Sequence, residues 1–162
     1  TMKKIFTLLL IGILLISCSN DDDNGIDCSL FDPAFPQLYI RLVDENGVNL
    51  IENGTFDPEN ITVEGDFANP GFRFIPPSEY DDAYIRKYDN TLFLFIANES
   101  KFEYTINLDD STSINLNFDA RFAELPCEVS YFIPTKLIYN NQNIESENEE
   151  TDKLTFLAEI QI

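Results

Sequence analysis

The chain carries 29 Asp and Glu, ten Lys and Arg, three Cys and no His. Without an imidazole it holds no Ser–His or Cys–His nucleophile pair. It also lacks a Cys-x-x-Cys spacing, which leaves zinc without a ligand set. Its six glycines stand singly rather than in a phosphate-binding loop. Three chemistries remain: paired carboxylates, thiols and aromatic stacking. Two carboxyl groups flanking a sugar bond, one donating a proton and the other attacking or activating water, make a glycosidase. Adjacent acids such as Asp81-Asp82 and Asp109-Asp110 also suit calcium. In so acidic a chain such pairs arise by chance, so the reading assigns no catalytic residue, no metal and no cofactor. Tyr80, Tyr84 and Tyr88 recur every four residues in a turn-rich stretch. Exposed, they would stack on a sugar or anchor a partner; on a helix, they would form one core stripe.

The thiols divide by position. Met2-Lys3-Lys4 precedes an apolar run from Ile5 to Ile16, which ends in Leu15-Ile16-Ser17-Cys18. The run is shorter than a bilayer span requires, so residues 1–17 read as the signal of an exported chain. A small residue directly before Cys resembles the lipobox of bacterial lipoproteins. That resemblance implies lipid on Cys18, which becomes the first mature residue. Cys28 and Cys127 are then left in an oxidising compartment, where two cysteines most often pair. The alternative is two buried free thiols.

The net charge of −19 becomes more negative once Lys3 and Lys4 are removed. Such a charge repels nucleic acid and anionic head groups and favours solubility or basic and divalent partners. Disorder is excluded by the 14 Phe and seven Tyr, which supply burial to offset chain entropy. Residues 18–30, with Asp21-Asp22-Asp23, are polar enough to form a flexible acidic tether. Three adjacent acids on a free chain make a poor calcium cage.

From residue 31 to 162 the pattern is that of one domain built of strands. Leu38, Ile40 and Leu42 alternate with Tyr39, Arg41 and Val43, and Asn46-Gly47 supplies turn chemistry. Val48–Ile51 is expected to return as a short strand. One helical turn is expected near Ser78–Ala83, then a hairpin of Tyr84–Lys87 against Leu92–Ala97. Phe102, Tyr104, Ile106 and Leu108 share one parity; Ile114, Leu116, Phe118, Ala120 and Phe122 share another, predicting long strands with one buried face. Val129, Tyr131 and Ile133 form a strand expected to stop at Pro134, and Leu154–Ile162 forms an exposed terminal strand. The sum is an all-β antiparallel sandwich of about nine to eleven strands.

The stretch Tyr39 to Leu50, continued by Asp57-Pro58-Glu59-Asn60-Ile61-Thr62-Val63, resembles the opening of small Bacteroidetes surface lipoproteins with prealbumin-like or Ig-like sandwiches. The acids after Cys18 resemble the export signal of that group. The resemblance implies an outer-membrane, lipid-anchored address at the cell surface, with a periplasm-facing lipoprotein as the alternative. Asp110-Ser111-Thr112 is similar to that group's O-glycosylation sequon, which would place a glycan on Ser111; an ordinary capped turn is the competing reading. The functional expectation is a non-catalytic binding or adaptor module for an envelope protein or glycan, not for nucleic acid. A surface-fibre or pilus subunit and a small carboxylate-dependent glycan hydrolase are the alternatives.

Overall fold

Alternating apolar residues decide the architecture. In a computed structural model describing residues 25–148 and 153–162, nine strands and one helical turn follow in order. They are β1 (Gln37–Val43), β2 (Thr62–Gly65), β3 (Phe72–Ile75), α1 (Ala83–Arg86), β4 (Thr91–Leu94), β5 (Lys101–Asn107), β6 (Ser113–Glu124), β7 (Ser130–Tyr139), β8 (Gln142–Ile144) and β9 (Thr155–Gln161). The expected signal, Cys18 and the Asp21–Asp23 cluster lie outside the described residues.

The strands form two sheets, ordered β3-β4-β1-β9 and β2-β5-β6-β7-β8. Leu38, Ile40, Leu42, Leu92, Leu94, Phe156, Ala158 and Ile160 from the first sheet share one core with residues of the second. The second sheet gives Phe102, Tyr104, Ile106, Ile114, Leu116, Phe118, Ala120 and Leu137. The all-β sandwich therefore stands. One pairing departs from the antiparallel expectation: β9 runs parallel to β1, from Gln37↔Thr155 to Val43↔Gln161. A tight turn forces antiparallel pairing only on consecutive strands, and β1 and β9 are the first and last. Although β9 ends its sheet, its side chains are mostly buried, so it is less exposed than expected.

Residues 25–32 and Pro126–Glu128 form a small unit of their own, joined by the Cys28–Cys127 disulfide with a Cα–Cα distance of 5.5 Å. Pro33–Leu125 and Val129–Ile162 form the β body. Cys127 and Glu128 take left-handed backbone, with φ of 64° and 58°.

Four local expectations are corrected. Val48–Ile51 is a turn rather than a strand, with a single bridge from Val43 to Asn49. The Asn49 carboxamide takes the Ile51 and Glu52 amides at 2.9 and 3.1 Å and donates to the Asn90 carbonyl at 3.0 Å. That leaves Leu50 and Ile51 buried without a ladder. Tyr84–Lys87 is no hairpin arm: the helical turn expected at Ser78–Ala83 lies instead at Ala83–Arg86, because the Asp82 carboxylate accepts the Tyr84 amide at 2.8 Å and caps it there.

Pro134 does not end its strand. A bulge at Asp119/Ala120 lets β7 run through it. The Ala120 amide turns to the Ser100 carbonyl at 2.8 Å, and the Thr135 hydroxyl serves the Asp119 carbonyl at 3.2 Å. Phe122, expected inside, is 54 % exposed. Ala120 is the last β6 residue in the shared core, and Phe122, two residues on, packs on Phe132 at 5.4 Å instead.

Tyr104 ties the two sheets by more than apolar contact. Its ring is fully buried on β5, and its hydroxyl proton lies between the carbonyls of Phe95 (2.8 Å) and Gly71 (3.0 Å) while its oxygen takes the Gly71 amide at 3.3 Å. Tyr104→Phe keeps the ring and strands these groups. Urea unfolding is expected to show a loss of about 1–3 kcal/mol, and a variant as stable as the parent would contradict the role of this hydroxyl.

Candidate functional site

The strand register places Arg73, Phe93, Tyr39 and Leu157 side by side across β3, β4, β1 and β9. Their neighbours Leu92, Ile40 and Ala158 point into the core, so this row lies on the outer face of the first sheet. Aromatic contacts extend it at both ends. Tyr39 meets Phe93 at 5.2 Å and Tyr88 at 4.5 Å between centroids; Tyr88 meets Tyr84 at 6.4 Å, and Phe93 meets Phe95 at 6.4 Å. Cations sit over the rings: the Lys87 ammonium is 4.3 Å from Tyr84 and 4.9 Å from Tyr88, and the Arg73 guanidinium is 5.2 Å from Phe93.

Of the three tyrosines singled out in the sequence, the structure brings two together. Tyr84 is 63 % exposed on α1, and Tyr88 is half-buried against Tyr39. Tyr80 is exposed too, but it stands apart, its amide held by the Ser78 hydroxyl at 3.1 Å. Neither the core stripe nor a row of three free rings results.

At the opposite end of the row lies an apolar groove of about 330 Å³, bounded by Phe35, Phe95, Ile96, Tyr131 and Phe132 with Asn98 and Ser130 as its polar members. No charged residue lines it. Phe35 and Phe95 are 59 % and 46 % exposed, Phe35 packs edge-on to Tyr131 at 5.9 Å, and Phe122 lies 5.4 Å from Phe132. Sequence reading missed this groove. The signal was Leu92-Phe93-Leu94-Phe95-Ile96, apolar at both parities: with Leu92 and Leu94 in the core, Phe93 and Phe95 must face outward. Gly71 makes room for the Phe95 ring, since a Cβ there would lie 2.9 Å from it.

The acids are engaged elsewhere. Glu147 and Glu159 both accept from the same Arg41 nitrogen at 3.3 Å, and Arg41 also donates to the Lys87 carbonyl. Burial, then a hydrogen bond to Glu159 and that group's negative charge, push the Glu147 carboxyl up to about 7 against the opposing pull of Arg41. A raised acid beside a second carboxylate is the glycosidase ingredient. Here the two share one guanidinium, which holds both carboxylates, although Glu159 also borders a polar groove.

The same segment closes on β9: the Glu147 amide donates to the Leu157 carbonyl at 2.8 Å, the Leu157 amide to Ser146 Oγ at 3.2 Å, and Asn148 bridges Lys87 Nζ (3.1 Å) and the Thr155 carbonyl (2.8 Å). This is a staple joining β1, β9 and residues 146–148. A wider polar groove of about 970 Å³ runs beside it, with Arg41, Asp81, Arg86 and Asp89 in its lining. Its cations are already matched, Arg86 with Asp81 (3.3 Å) and Asp89 (3.6 Å).

Asp82 caps α1. Asp109 organises the β5–β6 turn, taking the Ser111 and Thr112 amides at 2.7 Å each and the Ser111 hydroxyl at 2.9 Å. Those bonds hold its carboxyl below the usual range. Ser111 is exposed at the tip of this capped turn. Among the described residues no three His, Cys, Asp or Glu side chains converge as metal ligands.

The raised Glu147 binds its proton more tightly folded than unfolded, where its ordinary value is 4.5. Its contribution to stability is therefore full below about 4.5 and lost as pH climbs through about 7. Glu147→Gln is expected to flatten this part of the melting-temperature profile and to melt higher than the parent at pH 8. A parent profile that rises between pH 5 and 8 and a variant with the same slope would contradict the assignment.

Comparison with protein-family models, curated proteins and solved structures finds no match to this chain.

Proposed function

We propose that the chain is a non-catalytic binding or adaptor module, held at the outer membrane by lipid on Cys18, that meets a partner through the aromatic row on its first sheet. The observation that carries this reading is the row itself. Rings are brought to the surface at both ends, Tyr84 beside Lys87 at one and Phe35 and Phe95 at the other, in a molecule whose remaining surface is dominated by acids. Rigid aromatic side chains give large contact area for little lost entropy, which is why they concentrate binding energy. The Tyr84–Lys87 end, with an amine beside an open ring, suits a glycan or an envelope protein.

The raised acid is tied to Arg41 and to the fold, which favours binding over hydrolysis. The fibre alternative drew on a free edge at the terminal strand, and residues 146–148 already occupy the outer backbone of β9 at Leu157, which leaves that reading only the edges of β2, β3 and β8.

The anchor is checked by feeding a clickable fatty acid to the producing bacterium. Label on the chain, lost in Cys18→Ala together with retention in the membrane fraction, is the expected result; an unlabelled parent, or a Cys18→Ala chain that stays in the membrane, rejects the anchor. The binding face is checked on an immobilised panel of envelope glycans and proteins. Tyr84→Ala with Lys87→Ala is expected to weaken whatever is retained at least tenfold, and unchanged retention would reject that face.

A further inference from the structure

We infer that the uncharged aromatic groove rests on the zwitterionic lipid interface of the same bilayer that holds the anchor. The inference deepens the lipid-anchored reading above and rests on it.

Three observations converge. The first is charge. The chain averages one acid in fewer than six residues, with 29 acids in 162, yet Phe35, Pro36, Phe93–Asn98 and Ser130–Phe132 line the groove without a charged side chain. A second copy is a poor occupant, because two molecules of net charge −19 repel as they approach. A zwitterionic lipid surface carries no such penalty.

The second is covalent reach. Two routes run from Cys18 to the β body. Along the backbone the chain enters at Pro33, and Phe35, two residues on, is part of the groove. Through the disulfide the path crosses from Cys28 to Cys127, and Ser130, three residues on, lines the groove as well. Cys28 follows Cys18 by ten positions, a span of at most roughly 35 Å at full extension. Both covalent routes from Cys18 therefore enter the β body within three residues of the groove lining.

The third is side-chain type. Phe35, Phe95, Tyr131 and Phe132 line the groove beside Leu94 and Ile96 and combine broad apolar surface with a single phenol. A phenol suits the head-group level, and Phe rings bury in the layer just beneath it. Phe35 and Phe95 are exposed, so their rings are open to such a layer.

The sequence contains no Trp, so one introduced indole reports alone. Acylated Phe95→Trp and Phe35→Trp chains are reconstituted in vesicles of dibrominated phosphatidylcholine, with Tyr84→Trp as the comparison. The expected result is blue-shifted emission quenched at least twofold for either groove variant, and unquenched emission for Tyr84→Trp. Equal quenching at all three positions, or none in the groove, overturns the inference. So does a blue shift that grows with protein concentration without lipid, which assigns the groove to a second copy. A shift seen in native outer membranes and absent from pure lipid assigns it to a protein partner and overturns it equally. Mass spectrometry of the same samples separates the two failures. Unacylated Cys18 brings down the anchored reading and the inference together, whereas acylated Cys18 with an unquenched groove indole brings down the inference alone.

Discussion

Burial between two sheets governs this molecule. The inward faces of β1, β4 and β9 meet those of β5, β6 and β7, and wherever both are present side chains such as Leu38, Ile40, Leu116 and Leu137 lose nearly all solvent contact. A core of this kind is the dominant favourable term in folding. Along β6 the even-numbered residues go from buried Ile114, Leu116, Phe118 and Ala120 to exposed Phe122 without any change in their alternation. Tyr104 secures the edge of the apolar groove, since its hydroxyl fixes the Phe95 and Gly71 carbonyls that set where the Phe95 ring lies.

The strand content was legible because period-two alternation is a local property. Phe102 to Leu108 and Ile114 to Ala120 could be assigned inward positions residue by residue, and all are buried. Errors arose where local pattern competes with a partner distant in sequence. Val48–Ile51 has strand-like residues, but the Asn49 side chain answers two backbone amides and reaches Asn90, so a ladder is unnecessary. Pro134 signals a stop by its missing N–H. The signal is cancelled across the ladder, where the Ala120 amide opposite Pro134 goes to Ser100 and the neighbouring Thr135 hydroxyl serves the Asp119 carbonyl. Phe122 obeys the alternation, and nothing within β6 states where the opposing layer stops covering it.

The candidate site was legible only in part. Tyr84 and Tyr88 were visible as a spaced pair, but their partner Tyr39 lies more than forty residues away and looked like one more strand residue. The outward direction of Phe93 and Phe95 was present in the Leu92–Ile96 run, though their convergence with Phe35 and Tyr131 needs the fold. Scarce cations mark the surface more clearly than abundant acids. With ten Lys and Arg against 29 acids, Arg41 is assigned to the carboxylate staple, Arg86 to Asp81 and Asp89, and Lys87 and Arg73 to aromatic faces. An acid in this chain carries little positional information, and a base carries much.

The Cys28–Cys127 link also has a mechanical meaning. Tension applied on the N-terminal side of Cys28 divides at that residue. One branch continues along the backbone into β1, whose bonds to antiparallel β4 and parallel β9 would all be loaded in shear. The other crosses the sulfur bridge into the turn joining β6 and β7, the two longest strands of the second sheet. A drag force on the molecule is then borne by both layers of the sandwich at once. Reducing the bridge would leave the central strand of one layer to carry the whole load.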